Sequence, residues 1–419
     1  MSQKFFDMLF LYNLIVQVAD FLLKIVALFS PKIKLFVEGR KSIFEILESK
    51  INATDKTIWF HAASLGEYEQ GLPVIDRIKE KFPNHKIVLT FFSPSGYEVR
   101  KNNTVADATV YLPLDTNKNA RQFLFIVRPE MAFFIKYEYW PNYLSELKKI
   151  GTPTYLISGI FRKNQLFFKW YGGFYRTALN TFTCFFVQNE SSKKLLLELG
   201  QTNVLVSGDT RFDRVTSILE KDNTLDFIEA FKNDTLTIVV GSSWPKDEYL
   251  IVDFINQTTE KIKFIIAPHN IKEEQIQELK NSISKKVVLF SEKATKTLVD
   301  FDVFIIDTIG ILTTIYSYAD IAYVGGGFGN PGVHNILEPA TFGVPIVIGP
   351  NFSHFAEATA VVNMGGCISI SNKTELVDAF SNLIVNEDIR DEKGHICSTF
   401  VEMNKGATAI IMKNLNKPN

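Results

Sequence analysis

"KTIWFHAASLGEYEQGLPVIDRIKEKF" (56–82) decides how this chain folds. "KTIWF" is an apolar run of strand length. It gives way to small residues and a glycine, and then to the amphipathic stretch "QGLPVIDRIKEKF". A carboxylate, Glu67, stands where the buried strand yields to the helix, with Tyr68 and Glu69 behind it. Ligands on parallel sheets bind beyond the carboxyl ends of strands, so an acid at that place is a candidate for chemistry.

The same unit recurs along the chain. "KIVLTFF", "ATVYLPL", "MAFFIK", "PTYLIS" and "CFFVQ" read as strands, with "YLSELKKI" and "ESSKKLLLELG" as helices between them. The pattern pauses near "VSGDTRFDRVTSI" (206–218). It resumes with "LTIVVGSS", "KFIIAPH", "KVVLFS", "DVFIID", "IAYVGGG" and "VPIVIGP". This is the βαβ alternation of mostly parallel sheets. Two doubly wound α/β domains in series, joined near 206–215, account for it. A length of 419 residues agrees with more than one core.

Composition narrows the class. The chain is 46% hydrophobic and 22% charged, which marks it as globular. A net charge of −1 argues against a nucleic-acid partner. Cys184, Cys367 and Cys397 are an odd number without CxxC spacing, and read as reduced thiols of a cytosolic compartment. No HExxH occurs, so no zinc site is expected.

The first thirty residues stand apart. "FFDMLFLYNLIVQVADFLLKIVALF" (5–29) forms a helix roughly 37 Å long at about 1.5 Å per residue. Asn13, Gln17, Asp20 and Lys24 fall on one narrow stripe, and the rest of the circumference is apolar. Basic residues follow: Lys32, Lys34, Arg40 and Lys41. A signal peptide is disfavoured by the barely basic start and the lack of an A-x-A site. The preferred reading is a monotopic membrane helix with its stripe facing water or protein. A single span with a cytoplasmic basic flank comes second. A buried core helix comes third, because so broad an apolar surface exceeds what one neighbour covers.

Several strand ends carry candidate ligand groups. In "VGGGFGNPGVHNILEPATFGVPIVIGP" (324–350), glycines after a strand let backbone approach a ligand and expose N–H groups to a phosphate. Gly325 and Gly327 fit a dinucleotide fingerprint, but Asn330 takes the third place, so NAD is disfavoured. "HNILEPATFGVP" reads as a helix opening with Asn335. Glu338 in its first turn either accepts two ribose hydroxyls or answers the helix dipole. "VVGSSWPKDE" offers Ser242 and Ser243 at another crossing, where Ser243 as an ordinary N-cap is the plainer alternative. Pro268 and His269 end the strand "FIIAPH". Asp300 and Asp302 form a D-x-D before a strand, read as a solvated loop. "KYEYWPN" brings Glu138 and "DTRFDR" brings Arg211 and Arg214, with interdomain salt bridging as the bland alternative for both.

Together these stretches resemble the 3-deoxy-D-manno-octulosonic acid (Kdo) transferases over essentially the whole chain. "HAASLGE" resembles the family's H-x-x-S-x-G-E, "SPSG" (93–96) its T-x-T-G, "YEYWPN" its E-x-E-L-W-P-N, and "DTRFD" its G-[ND]-x-K-F-D. The resemblance implies a GT-B fold, with two Rossmann-like domains facing a cleft behind the N-terminal membrane helix. Its domains would be a helix over 1–35, an acceptor domain over 36–208 and a CMP-sugar donor domain over 209–419. The last helix would be free to pack back on the N-terminal domain.

The resemblance also implies an inverting glycosyltransferase of lipopolysaccharide core biosynthesis in Gram-negative bacteria. It would move Kdo from CMP-Kdo to a lipid A precursor of the lipid IVA type, at the cytoplasmic face of the inner membrane. Glu67 takes the place of the general base, while Glu138 and Arg211 take those of transition-state stabilisers. CMP contacts fall on Pro268, His269, Ile309, Gly310, Ile311, Asn335, Ile336, Leu337 and Glu338. No metal and no cofactor are expected. Arg40, Lys41, Arg162 and Lys163 are candidates for lipid phosphates, or are simply solvated charge.

The chain departs from the family at three points. Ile311 replaces an acid in "DTIGIL", Val333 replaces a glycine in "PGVHN", and "GIFR" replaces N-A-R while keeping Arg162. Two rivals stand beside this reading: another membrane-associated GT-B enzyme using a UDP-sugar, and a membrane-tethered nucleotide-binding protein without catalysis.

Overall fold

The structure is a computed structural model that describes residues 3–415, with side chains from Met8 onward. Two compact units divide it: Met1–Arg214 with Lys405–Asn419, and Val215–Asn404.

The first unit is built on β1 (Lys56–Ala62), β2 (His85–Phe91), β3 (Ala108–Tyr111), β4 (Pro129–Ile135), β5 (Thr154–Gly159), β6 (Cys184–Val187) and β7 (Val204–Val206). They form one parallel seven-stranded sheet in the order β3-β2-β1-β4-β5-β6-β7. Helices cover both faces, so the strands read as nearly unbroken apolar runs. On one face Phe60 stacks on Phe133 with centroids 4.6 Å apart. On the other Trp59 meets Phe134 edge-on at 5.1 Å.

The order reverses between β1 and β4, which is the topological switch point where ligands gather. The helix after β1 spans Leu65–Lys81 and so begins earlier than its amphipathic pattern suggests. Gly71 on that helix lies against Ile135, where a Cβ would sit 2.3 Å from the Ile135 Cδ1. The absent side chain lets the helix lie close on β4.

The second unit carries β8 (Thr237–Ser243), β9 (Lys263–Pro268), β10 (Val287–Leu289), β11 (Val303–Ile305), β12 (Ile321–Val324), β13 (Ile346–Ile348) and β14 (Cys367–Ser369). Its parallel sheet runs β10-β11-β9-β8-β12-β13-β14, with the reversal between β8 and β12. The three-residue strands β7 and β14 lie at sheet edges and were not expected from the sequence.

The N-terminal helix spans Gln3–Val26, and a second helix, Pro31–Glu38, follows. The first packs inward through few side chains. Leu9 is buried, Tyr12 donates to Asp115 at 2.9 Å, and Asn13 accepts from the Asn117 N–H at 2.9 Å. Gln17, Asp20 and Lys24 line a cavity of about 300 Å³ with Phe36 and Arg40. The polar stripe therefore lies on the protein side of the helix, with Gln17 and Lys24 still exposed to water. Phe10, Leu14, Ile15, Val18, Phe21 and Leu22 are exposed, so this is not a core helix. Met8–Val26 is long and apolar enough to cross a membrane, and the helix is compatible with membrane association.

Two details differ from the sequence reading. Asp209–Arg214 belongs to the first unit rather than opening the second. The reason is local: Arg214 pairs with Glu69 at 3.0 Å, and Asp213 accepts from the Gly406 and Thr408 amides at 2.5 and 2.6 Å. Those amides open the helix Ala407–Lys413, whose Ile411 joins the core of the first unit. Arg40 is not a headgroup ligand in waiting. Its guanidinium donates to the carbonyls of Leu112, Phe36 and Phe92, and it lies 3.6 Å from the Phe36 ring centroid. Burial pulls its pKa down to about 10.

Candidate active site

In the first unit, the carboxyl ends of β1 and β4 bring together residues far apart in sequence. Glu67 is the third residue of the helix Leu65–Lys81, and its carboxylate accepts the Ser64 N–H at 3.0 Å. This bond fixes the side chain at the helix start. Glu67 is pushed above the ordinary carboxylate range, first by burial and then by the charge of Glu138. His61 and Lys136 act the other way.

Glu138 follows β4 by way of Lys136, whose φ of 69° turns the chain out of the sheet. The buried Glu138 carboxylate meets His61 Nε2 at 3.0 Å and accepts from Trp140 Nε1 at 2.8 Å, both at Oε2. His61 is fully buried on β1, with Nδ1 2.8 Å from Thr90 Oγ1. Thr90 in turn accepts from Trp59 Nε1 at 2.8 Å. The Thr90 hydroxyl also lies 3.3 Å from the Phe60 carbonyl, and His61 Nδ1 lies 3.2 Å from the Thr90 carbonyl. Trp140 Nε1 also lies 3.0 Å from His61 Nε2, so indole, imidazole and carboxylate form one cluster.

Arg211 is braced by Asp209, which accepts from its Nε at 2.8 Å and lies 2.7 Å from its Nη2. Tyr137 lies in the field of Arg162, Glu67 and Arg211, while burial pushes its phenol upward. Glu69 takes a structural role, bridging Arg100 at 2.7 Å and Arg214 at 3.0 Å. The ion pairs described for Arg211 and Arg214 thus lie within the first unit, not between domains.

In the second unit the candidate residues gather beyond β8, β9 and β12. Trp244 stacks on His269 at 4.5 Å and donates through Nε1 to His334 Nε2 at 2.9 Å. His269 and His334 are 4.7 Å apart between centroids. Burial lowers the pKa of both imidazoles, which keeps them neutral and matches the acceptor role of His334. Pro268 precedes this stack at the end of β9.

The helix Pro245–Gln257 starts on Trp244 rather than on Ser243. Asp247 supplies the cap, accepting from the Trp244 N–H at 2.9 Å. The same buried carboxylate accepts from Tyr323 and from the Gly326 N–H, both at 2.8 Å. The Ser243 hydroxyl turns to Glu248 at 2.9 Å, while Ser242 holds a left-handed φ of 53°.

The glycines after β12 serve packing before ligand. A Cβ on Gly325 would meet Ser242 O at 2.4 Å, and one on Gly327 would meet Gly349 Cα at 2.7 Å. The Gly325 N–H donates to Gly241, as that of Gly326 does to Asp247. These amides are engaged by protein rather than presented to a phosphate. Asn335 precedes the short helix Leu337–Thr341, whose N-cap is Ile336. Glu338 accepts from Asn335 at 3.0 Å and from Thr313 at 2.9 Å. Ile309 is exposed, Gly310 has a φ of 96°, and Ile311 caps the turn Leu312–Ile315.

Among the described residues, no group of three or more His, Cys, Asp or Glu side chains is placed to hold a metal. The sequence reading missed His61, Trp140, Trp244, His334 and Asp247 as site residues. Each stands inside or beside a quoted motif, but nothing local marks its partner.

Two parallel doubly wound domains of this kind define the GT-B class. A UDP-GlcNAc 2-epimerase from Neisseria meningitidis shares the fold, with a TM-score of 0.60 at 14% identity over 85% of this chain and 98% of that one. Residues 39–214 match the family model described as 3-deoxy-D-manno-octulosonic-acid transferase. The 3-deoxy-D-manno-octulosonic acid transferase of Chlamydophila psittaci is 29% identical over 375 residues, 85% of each chain. That of Aquifex aeolicus is 27% identical over 80% of this chain and 88% of its own. The chain is thus similar to the Kdo transferases, through the family model over residues 39–214 and through these relatives along most of its length.

Proposed function

We propose that this protein transfers Kdo from CMP-Kdo to a lipid A precursor of the lipid IVA type, with inversion and without a metal. The observation that carries the reading is Glu67, a carboxylate with raised pKa beside Glu138 at the switch point of the first sheet. An acceptor sugar hydroxyl is a poor nucleophile until its proton is removed in the transition state. A positioned carboxylate whose pKa approaches the working pH does this, contributing roughly 10²–10⁴-fold.

In this reading Glu67 takes the acceptor proton while the hydroxyl oxygen bonds to the anomeric carbon of Kdo. The bond from that carbon to CMP breaks on the opposite face, and its electron pair leaves on the phosphate. One base suffices, since no sugar–enzyme bond forms. Glu138, held by His61 and Trp140, and Arg211, braced by Asp209, act on the charge that develops. The Trp244–His269–His334 stack offers an aromatic wall for the nucleotide, with Pro268, Ile309–Ile311 and Asn335–Glu338 as further contacts. Glu338 accepts ribose hydroxyls in place of its present partners.

The exposed apolar face of the N-terminal helix supports a reading in which the enzyme works at the cytoplasmic face of the inner membrane, on a glycolipid acceptor. The test is binding and turnover with CMP-Kdo against UDP-sugars. A UDP-sugar enzyme prefers UDP, and a non-catalytic nucleotide-binding protein yields no glycolipid product.

A further inference from the structure

The loop after β5 and the 3-10 turn Leu166–Phe168 carry an aromatic group that nothing in the catalytic reading uses. Trp170 is 91% exposed, beside Tyr171 at 53% and Leu166 at 45%. A Trp this exposed is costly to leave in water and calls for a partner. The loop is built to present it. Phe167 is buried beneath, and Arg176 donates to the carbonyls of Phe167 and Lys169 at 2.9 and 3.0 Å. The chain then closes at Gly172, where a Cβ would strike the Leu166 carbonyl oxygen. Internal bonds thus shape the loop, and Trp170 stands outward with Tyr171 edge-on to it, ring centroids 5.4 Å apart.

The neighbourhood says what covers it. Two exposed cations, Arg162 and Lys163, open the same loop. The helix that follows it, Gly173–Leu179, meets the N-terminal helix through Phe174 and Tyr12, ring centroids 5.7 Å apart. The aromatic loop is therefore continuous with the element whose apolar face is exposed. Trp and Tyr with adjacent Arg and Lys are the side chains that settle at the headgroup level of an anionic bilayer. We infer that the Leu166–Tyr171 loop is a second lipid contact, with Trp170 inserted at the interface and the N-terminal helix lying beside it. Two points of attachment would fix the enzyme's rotation on the membrane, which one helix cannot do. The inference rests on the membrane reading of that helix.

The test uses the full-length protein and vesicles of phosphatidylethanolamine and phosphatidylglycerol with acyl chains brominated near the headgroup. Trp59 is fully buried, and Trp140 and Trp244 donate hydrogen bonds inside the protein. The quenching difference between wild type and Trp170→Phe therefore reports Trp170. The expected result is bromine quenching in wild type that is lost in Trp170→Phe. Vesicle affinity should fall about tenfold in Trp170→Ser, with CMP binding unchanged as the check on folding. If wild type binds vesicles but Trp170 is not quenched, this inference fails and the helix reading survives. If wild type does not bind vesicles, both fail. A Trp170 emission already blue-shifted without lipid means protein covers it, and also overturns the inference.

Discussion

His61 Nε2 lies 3.0 Å from Glu138 Oε2, the oxygen that also accepts from Trp140 Nε1 at 2.8 Å. A relay that begins at Trp59 and passes through Thr90 holds His61. The relay joins β1 to β2, and the last bond reaches the segment after β4, so the sheet itself fixes the carboxylate. His61→Gln keeps a donor but shortens the reach. It should lower kcat by about 10²-fold, the scale of one lost electrostatic contact, with CMP affinity unchanged in calorimetry. Unchanged kcat would assign the pair to structure alone.

Glu67→Gln removes basicity and keeps shape. Transfer should fall by roughly 10²–10⁴-fold while CMP still binds. Near-normal turnover in single-turnover assays would end the assignment of Glu67 as base.

The pH profile gives an independent check. Glu67 works as base only when ionised, so kcat/KM should rise with pH through its folded pKa. Burial and the Glu138 charge both raise that pKa, so the acidic limb should lie above the usual carboxylate range. Glu138→Gln removes one of the raising causes. Its residual activity should show the limb displaced to lower pH. A limb that stays put would mean that another group titrates.

Glu338→Ala should weaken CMP binding by about 1.5–3 kcal/mol, the worth of charge-assisted hydrogen bonds. Thr313→Val removes one partner of the carboxylate without removing the acid, and should leave CMP affinity the same or slightly higher. Unchanged affinity in a folded Glu338→Ala chain would leave Glu338 with a structural role, as in its bonds to Asn335 and Thr313.

Transfer should survive excess EDTA, since the charge of a monophosphate leaving group can be met by Arg211. Activity lost to EDTA and restored by Mg²⁺ would contradict this and draw attention back to Asp300 and Asp302.

What the sequence disclosed depended on range. Strands covered on both faces are apolar from end to end, and so most were legible. β7 and β14 were not, because each buries a single residue, Val204 and Cys367, and so lacks the buried run of the others. Glu67 was legible because strand, turn and acid are contiguous. The His61–Glu138 bond was not, because β1 pairs with β4 only after two strands have been laid on its other side. Arg40 misled for the same reason. After an apolar helix it reads as a headgroup ligand, yet Phe92, Tyr111 and Leu112, which engage it, lie far along the chain. The glycines at 325–327 read as a phosphate cradle, but close backbone approach in the sheet explains them first.

The central claim is tested most directly by mass spectrometry of the lipid after incubating the full-length protein with CMP-Kdo and lipid IVA. The account predicts a product heavier by one or more Kdo residues, formed by wild type and nearly absent with Glu67→Gln. Unmodified lipid from folded, CMP-binding wild-type protein would contradict it, as would sugar transfer from a UDP donor in place of CMP-Kdo.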